Sequence, residues 1–480
     1  MSIPLQHRFA DALPELATPT TARSFSEPRL VVLNDPLAAE LGIDVEWLRS
    51  DEGLRFMVGQ ALGDEARPVA QLYAGHQFGG YVPRLGDGRA MLLGEVETPL
   101  GLRDIALKGS GPTVYARGGD GFAALGPMLR EYLVSEAIHA LGIPTTRSLA
   151  VVATGDQVLR EEGPLPGAVL VRVASSHLRV GTFQAVRAAD DRELLDRLVR
   201  HALERHAPEG ADAEVSALAL FDHVVRAQAR LVAQWLGVGF VHGVMNTDNV
   251  TISGETIDYG PCAFLDAYSP GAVFSSIDTG GRYAFGRQPT VTQWNLARFA
   301  EALLPAIADD ETEAVEAATA VLDTFPTHFN EAWIGGMAAK LGVAPDADGI
   351  VELVTDLHGQ LEASAADFTT FFRDLATAAR GDREPVRSVS MDLERTDAWL
   401  ERWLALSPDP EAMDRVNPVH VPRNHLVEEA LAAAGAGEMA PFDALVEAVR
   451  RPYEPIEGGE RFAQPATAEF AASFQTFCGT

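Results

Sequence analysis

The hydrophobic pattern of this chain changes character once, near residue 190, and that change limits the folds open to it. Before it, short apolar runs at residues 90–96, 104–108, 149–153 and 168–174 are bounded by turn formers and read as strands. One helix is embedded among them. Leu125, Met128, Leu129, Tyr132, Leu133 and Ile138 fall at helical spacing over 125–141, and Gly142 caps the end. After residue 190 helical spacing covers 190–206, 214–236 and most of the chain to 450. A single hairpin interrupts it, with arms 250–252 and 256–257 and its turn at Ser253, Gly254 and Glu255. Residues 1–60 read as short helical pieces and loops. No solenoid or propeller period and no Pro/Gly/Ser linker appears. The pattern predicts an α+β fold of two lobes in one continuous unit. Residues 1–186 form an N-terminal extension and a strand-rich lobe, and 187–480 a larger helical lobe with a C-terminal tail.

Charge narrows the function classes. With 68 acidic against 38 basic residues the 480-residue chain carries a formal net charge of −30. Such a surface repels nucleic-acid backbones and anionic headgroups, so neither nucleic acid nor membrane is expected as partner. No apolar run reaches the roughly 18 residues a membrane span needs. The N-terminus carries Asp11 and Glu15 and resembles neither a signal nor a transit peptide, which places the protein in the cytoplasm. Two cysteines make neither a disulfide framework nor a four-thiolate zinc site. Only two of the basic residues are lysines, Lys108 and Lys340. A lysine that persists in an arginine-biased chain marks a place for a compact point charge, which the planar guanidinium cannot imitate. Lys340, in an unremarkable helical stretch, reads as a chance survivor.

The strand Ile105-Ala-Leu-Lys108 has the form of a strand that carries a lysine to nucleotide phosphates. Glu131, 23 residues on, lies at a plausible distance for the ion pair that orients such a lysine. Solvated surface is the default for Glu131 and Glu136 alike. Gly86-Asp-Gly-Arg89 makes a tight turn that lets backbone N–H groups approach a phosphate, although alone it reads as a plain hairpin turn. Gly109, Gly111, Gly118, Gly119, Asp120 and Gly121 make the next loop a phosphate cradle or a mobile flap.

The helical half supplies His242-Gly-Val-Met-Asn-Thr-Asp-Asn249, then Asp258-Tyr-Gly260. Protein kinases use H-R-D-L-x-x-x-N and D-F-G for two metal ligands and a catalytic Asp. Asn249 and Asp258 fill the ligand positions, while Val244 stands where the base belongs. The alternative is that Asn249 and Asp258 merely cap the hairpin. Arg172, in an apolar strand, and Arg179 suit a terminal phosphate or pyrophosphate, or else pair with acidic residues. His76, His139 and His242 lack ligand spacing and read as structural.

Together these segments resemble the selenoprotein O (SelO, YdiU) family of pseudokinase protein adenylyltransferases. The likeness rests on Ala74-Gly-His-Gln-Phe-Gly-Gly80, Leu85-Gly-Asp-Gly-Arg89, Leu107-Lys-Gly-Ser-Gly-Pro112, His242 to Asn249 and Asp258-Tyr-Gly-Pro261. It extends through Gln288-Pro289, Trp294-Asn-Leu296, Asn417-Pro418 and Arg423-Asn424. The resemblance implies a protein-kinase-like bilobal fold and an ATP bound in flipped orientation. AMP would pass to Ser, Thr or Tyr hydroxyls of protein substrates, with pyrophosphate released and UTP as a possible second donor. It implies that Lys108, paired with Glu131, and Arg172 with Arg179 hold the phosphates and that Gly86, Gly88, Arg89, Asp120 and Gly121 line the nucleotide site. Asn249 and Asp258 would bind Mg2+ or Mn2+, and Asp248 would be the base. The family takes its name from a selenocysteine near the C-terminus, and Cys478 occupies comparable ground. With Cys262, four residues after Asp258, it would form a redox pair. A monomer is expected. An atypical kinase transferring the γ-phosphate and a non-catalytic nucleotide-sensing scaffold remain the alternatives.

Overall fold

The computed structural model describes residues 3–161, 163–206 and 216–477. The strands of the first half are β1 (Ala17–Pro19), β2 (Arg29–Leu33), β3 (Val69–Gln71), β4 (Gly75–Gln77), β5 (Gly80–Val82), β6 (Ala90–Thr98), β7 (Gly101–Lys108), β8 (Ala123–Ala124), β9 (Arg147–Arg160) and β10 (Gly163–Ala174). Seven make an antiparallel sheet in the order β1-β3-β6-β7-β10-β9-β2, with β8 attached to β10, while β4 and β5 form a separate ribbon.

Alternation along the strands gives the sheet two apolar faces. Met91, Leu107, Val169, Val171 and Val173 pack against Leu37, Trp47, Leu48, Phe56 and Met57. Those partners come from the short helices Asp35–Glu40, Val45–Arg49 and Asp51–Met57, so part of the N-terminal stretch covers the outer face of the sheet. The other face presents Leu92, Ala168 and Leu170 to Met128, Leu129 and Tyr132 of the helix Leu125–Ala140. Register places Lys108 opposite Leu170 and Arg172 opposite Ala106, so both cations share the helix-facing side.

The inner core is continuous with the helical lobe. It runs from Phe9 through the helices Arg192–His206, Ala217–Gly237 and Gln288–Ile307 to Val449. A second cluster joins Phe325–Lys340, Ile350–Ser364, Phe368–Ala379 and Leu393–Leu404. The protein is thus the two-lobed, kinase-like α+β arrangement, with a strand-rich first half and a helical second half.

The expected hairpin at 250–257 differs from its reading. Its arms do not pair with each other: Thr251 bridges to Arg179 and Thr256 to Thr145. The reason is that their backbone groups are already taken. Val250 O accepts from Val180 N, Ile252 N donates to Leu178 O, and Thr256 bonds Pro144 O and Thr146 N. A 3-10 turn, Thr247–Asn249, precedes the segment, and Thr251 Oγ1 closes the remaining loop on Glu255 O at 2.6 Å.

The polar motifs of the second half brace this segment. Gln288 accepts from His242 N at 3.0 Å and donates to Phe240 O at 2.9 Å, and Asn295 Nδ2 holds Met245 O at 2.9 Å. Asn424 bonds both backbone groups of Phe264, and the fully buried Arg423 pairs with Asp266 and Asp367.

Lys340 is not an incidental surface lysine. Its Nζ is buried 3.9 Å from the Phe372 ring centroid and 5.5 Å from that of Phe368, and burial pushes its pKa down to about 7. Because the unfolded chain keeps an ordinary lysine near 10.5, it binds more protons than the native state between pH 7 and 10.5, and stability rises with pH through that window. Lys340→Met is therefore expected to stabilise the protein by several kcal/mol at pH 7 and to lose that advantage near pH 10, read from Tm against pH. A Tm difference independent of pH would mean that Lys340 is not titrating in the fold.

Candidate active site

A cleft of about 370 Å3 lies between the sheet, the helix Leu125–Ala140 and the 244–261 segment. All of Gly86, Gly88, Arg89, Lys108, Asp120, Gly121, Glu131, Arg172, Arg179, Asp248, Asn249 and Asp258 line it. Lys108 ends β7, Arg172 stands on β10, Glu131 projects from the second turn of the helix and Asp258 enters from the loop.

At its centre two cations and two anions alternate. Lys108 Nζ lies 2.5 Å from Glu131 Oε2 and 2.6 Å from Asp258 Oδ1. Arg172 Nη1 lies 3.2 Å from Glu131 Oε1 and 2.9 Å from the same Asp258 oxygen. Glu131 and Glu136, read as solvated by default, are each only 3% exposed, and Glu136 pairs with Arg147. Burial opposes ionisation of Asp258, but Lys108, Arg172 and Arg179 outweigh it and hold its carboxyl well below the usual range. Asp258 takes a left-handed backbone, φ 62°, and His242 Nε2 bonds Ile257 O just before it.

Behind Arg172 stands a second buried layer. Its Nε donates to His177 Nε2 at 3.3 Å, His177 Nδ1 bonds Asp104 Oδ2 at 3.0 Å, and Arg205 holds the other Asp104 oxygen at 2.8 Å. Burial lowers the His177 pKa, which keeps the ring neutral and its Nε2 free to accept. Arg179 stacks 4.4 Å over the Tyr73 ring, with Asp87 at 4.0 Å.

Asp248 is the unsatisfied member of the group. Gln77 Nε2 reaches its Oδ2 at 3.3 Å, whereas Oδ1 is buried without a partner. Burial raises this carboxyl to about 6. Asn249 commits Nδ2 to Val244 O at 3.0 Å, leaving its amide oxygen. Val244 lines the cleft as a buried apolar side chain. Asn249, Asp258 and Asp248 line the same cleft and carry the hard oxygen donors that suit Mg2+ or Mn2+, which takes few protein ligands and completes its shell with phosphate and water. Among the described residues no three His, Cys, Asp or Glu side chains gather as a metal cluster. His76, His139 and His242 are each occupied by a protein hydrogen bond.

The Gly86 turn is not a hairpin between paired neighbours. Asp87 bonds both backbone groups of Gln71, and a Cβ at Gly86, φ 96°, would meet the Tyr115 ring at 2.5 Å. Glycine is required there for packing under the 109–121 loop. That loop closes on itself, since a Cβ at Gly121 would lie 2.0 Å from Pro112 N. Asp120 at the rim pairs with Arg160 at 2.8 Å. Tyr73, Gln77, Asp87, Tyr115, Arg160 and Asn246 also line the cleft and were not singled out from sequence. Gln77, Asp87 and Asn246 sit inside quoted motifs, whereas Arg160 carries no local signal. Cys262 is buried outside the cleft lining, its Sγ on Tyr259 O at 3.2 Å, and burial pushes its thiol up to about 11. Its expected redox partner Cys478 lies outside the described residues.

Comparison with known proteins finds relatives over the whole chain. The family model described as "Protein adenylyltransferase SelO" matches residues 1–450. Proteins named "Protein nucleotidyltransferase YdiU" from Mycolicibacterium paratuberculosis and Pseudarthrobacter chlorophenolicus are each 59% identical over 486 residues, covering 100% of this chain and 99% of the relative. One of the same name from Cereibacter sphaeroides is 54% identical over 456 residues, 94% of each chain.

The central quartet makes a stability prediction. Lys108→Met leaves Glu131 and Asp258 with Arg172 alone, and is expected to cost about 3 kcal/mol in denaturant unfolding. Adding Glu131→Gln should recover more than half of that loss, because it restores charge balance. Additive losses in the two variants would show that Lys108 and Glu131 are not coupled.

Proposed function

The chain belongs to the protein adenylyltransferase SelO family, and from that premise we propose that it transfers AMP from ATP to Ser, Thr or Tyr hydroxyls of proteins and releases pyrophosphate. The observation that carries this reading is one cleft that holds the phosphate-type cations Lys108, Arg172 and Arg179 together with the Asp248 carboxylate, whose Oδ1 has no partner, while an apolar Val244 fills the position of the kinase base.

In this reading ATP lies flipped, with its β- and γ-phosphates on Lys108, Arg172 and Arg179 and its α-phosphorus turned toward the acceptor. Gly86, Gly88, Arg89, Asp120 and Gly121 line the remainder of the nucleotide. UTP presents the same triphosphate and is a second donor to test. Asn249 and Asp258 would hold Mg2+ or Mn2+, which when bound neutralises charge on the phosphates. The acceptor oxygen forms a bond to the α-phosphorus, the bond from that phosphorus to the bridging oxygen breaks, and pyrophosphate leaves. Asp248 takes the hydroxyl proton. Its raised carboxyl, still ionised at neutral pH, suits that task. Glu131 keeps the Lys108 ammonium in place, and His177 fixes the plane of the Arg172 guanidinium. A cytoplasmic monomer with its lobes divided near residue 186 completes the proposal; no helix among the described residues is long and apolar enough to cross a membrane.

ATP labelled separately at the α and γ positions tests it. Protein-bound α-label without γ-label is expected, and protein-bound γ-label would establish a kinase instead. Lys108→Arg should lower α-label transfer at least 100-fold with the fold retained, since the wide guanidinium does not fit between Glu131 and phosphate oxygens. Asn249→Ala should abolish transfer at any metal concentration tested, and wild-type rates in either variant would remove that residue from the site.

A further inference from the structure

We propose that the β4–β5 ribbon and the turn around Arg282 form the seat for the acceptor polypeptide, and that this seat selects a segment carrying Asp or Glu beside the modified hydroxyl. The proposal rests on the adenylyl-transfer reading above and adds its acceptor specificity.

The ribbon is fastened to the loop that carries Asp248. His76 N donates to Thr247 Oγ1 at 2.7 Å, Gln77 Nε2 to Asp248 Oδ2 at 3.3 Å, and Phe78 N to Asn246 Oδ1 at 3.0 Å. Its turn is made by two successive left-handed residues, Phe78 at φ 51° and Gly79 at φ 86°. For a bulky phenylalanine that left-handed conformation is unfavourable. Burial of the ring does not offset this cost, because Phe78 remains 39% exposed and neighbouring Tyr81 43%. The ribbon therefore leaves two aromatic side chains partly open to solvent beside the proposed base.

The second wall is the turn at 278–283. Both Asp278 oxygens are spent on backbone donors, Arg282 N at 2.9 Å and Tyr283 N at 2.8 Å. Tyr283 in turn bonds the same Asn246 oxygen at 2.7 Å, and its ring lies 5.1 Å from that of Phe78. This frame fixes the Arg282 guanidinium 4.6 Å over Trp294, close enough to the ribbon that a Cβ at Gly79 would stand 3.6 Å from its Cζ.

Charge then identifies the occupant. The chain has 68 acidic residues, yet among the described ones no carboxylate forms an ion pair with Arg282, whose side chain stays partly open to solvent. Arg298, which also stacks on Trp294, is paired with Glu301 at 2.6 Å. A stacked guanidinium held in one plane and lacking an internal anion is preorganised for a carboxylate from outside. An acidic side chain on Arg282 would bring its neighbours across the ribbon toward Gln77 and Asp248.

The test uses the full chain, α-labelled ATP and short peptides bearing one Ser, Thr or Tyr flanked by Glu, Gln or Lys. Wild-type protein is expected to use Glu-flanked peptides with at least tenfold higher kcat/KM than Lys-flanked ones, the difference lying in peptide KM. Arg282→Gln should erase the preference, and Arg282→Glu should reverse it toward Lys. Equal use of all three peptides, or an acidic preference that survives Arg282→Glu, overturns the proposal. Absence of label on every peptide overturns it as well. Pyrophosphate measured in the same reactions separates that result from failure of the transfer reading: pyrophosphate release without peptide labelling leaves adenylyl transfer standing, and no release at all removes both.

Discussion

Four charges packed together at the junction of the lobes, three buried and Asp258 half-buried, govern the arrangement of the rest. Lys108, Glu131, Arg172 and Asp258 come from a strand, a helix, a second strand and a distant loop, and each touches two of the others. Taking any one of them out of water is expensive, and only the alternation of sign makes the group tolerable. The register of β7 against β10 and the placing of Glu131 on the helix face turned toward the sheet are therefore conditions of the site. A sheet slipped by one residue would turn Lys108 toward the outer apolar cluster.

The same constraint explains the polar residues deep in the helical lobe. A loop that presents Asp248, Asn249 and Asp258 to a cleft cannot also satisfy its own backbone. Gln288, Asn295 and the 144–146 and 178–180 segments supply the missing partners. Their role is to keep a non-regular segment in one conformation, which lets it carry chemistry without belonging to a helix or a sheet.

The sequence revealed the fold and the cleft members unevenly. The strands β6, β7, β9 and β10 and the main helices were legible because apolar spacing reports directly on which face is buried, whereas β1 and β2 fall in a stretch that reads as helical pieces and loops. Lys108, Asn249 and Asp258 were legible because a known spacing of residue types surrounds them. The hairpin at 250–257 was misread because turn residues predict a turn but not its pairing partners, and those lie over 70 residues away in the case of Arg179. Burial of Glu131 and Lys340 was equally out of reach, since a helical charge looks solvated until the element packed against it is known. Arg160 and Tyr73 join the cleft through folding alone and leave no trace in their neighbours.

The inner core that runs unbroken from Phe9 to Val449 has a mechanical consequence. Two lobes that share one apolar interior cannot swing apart as rigid bodies without exposing it to water, so a wide hinge is closed to this molecule. The glycine-rich 109–121 loop that closes the cleft wall is itself pinned, by buried Tyr115 packed on Gly86 and bonded to Thr18 Oγ1, by Thr113 Oγ1 on Asp87 O, and by the Asp120–Arg160 pair. A cleft framed in this way is preorganised, so a ligand that fills it gains its contacts without first ordering the chain.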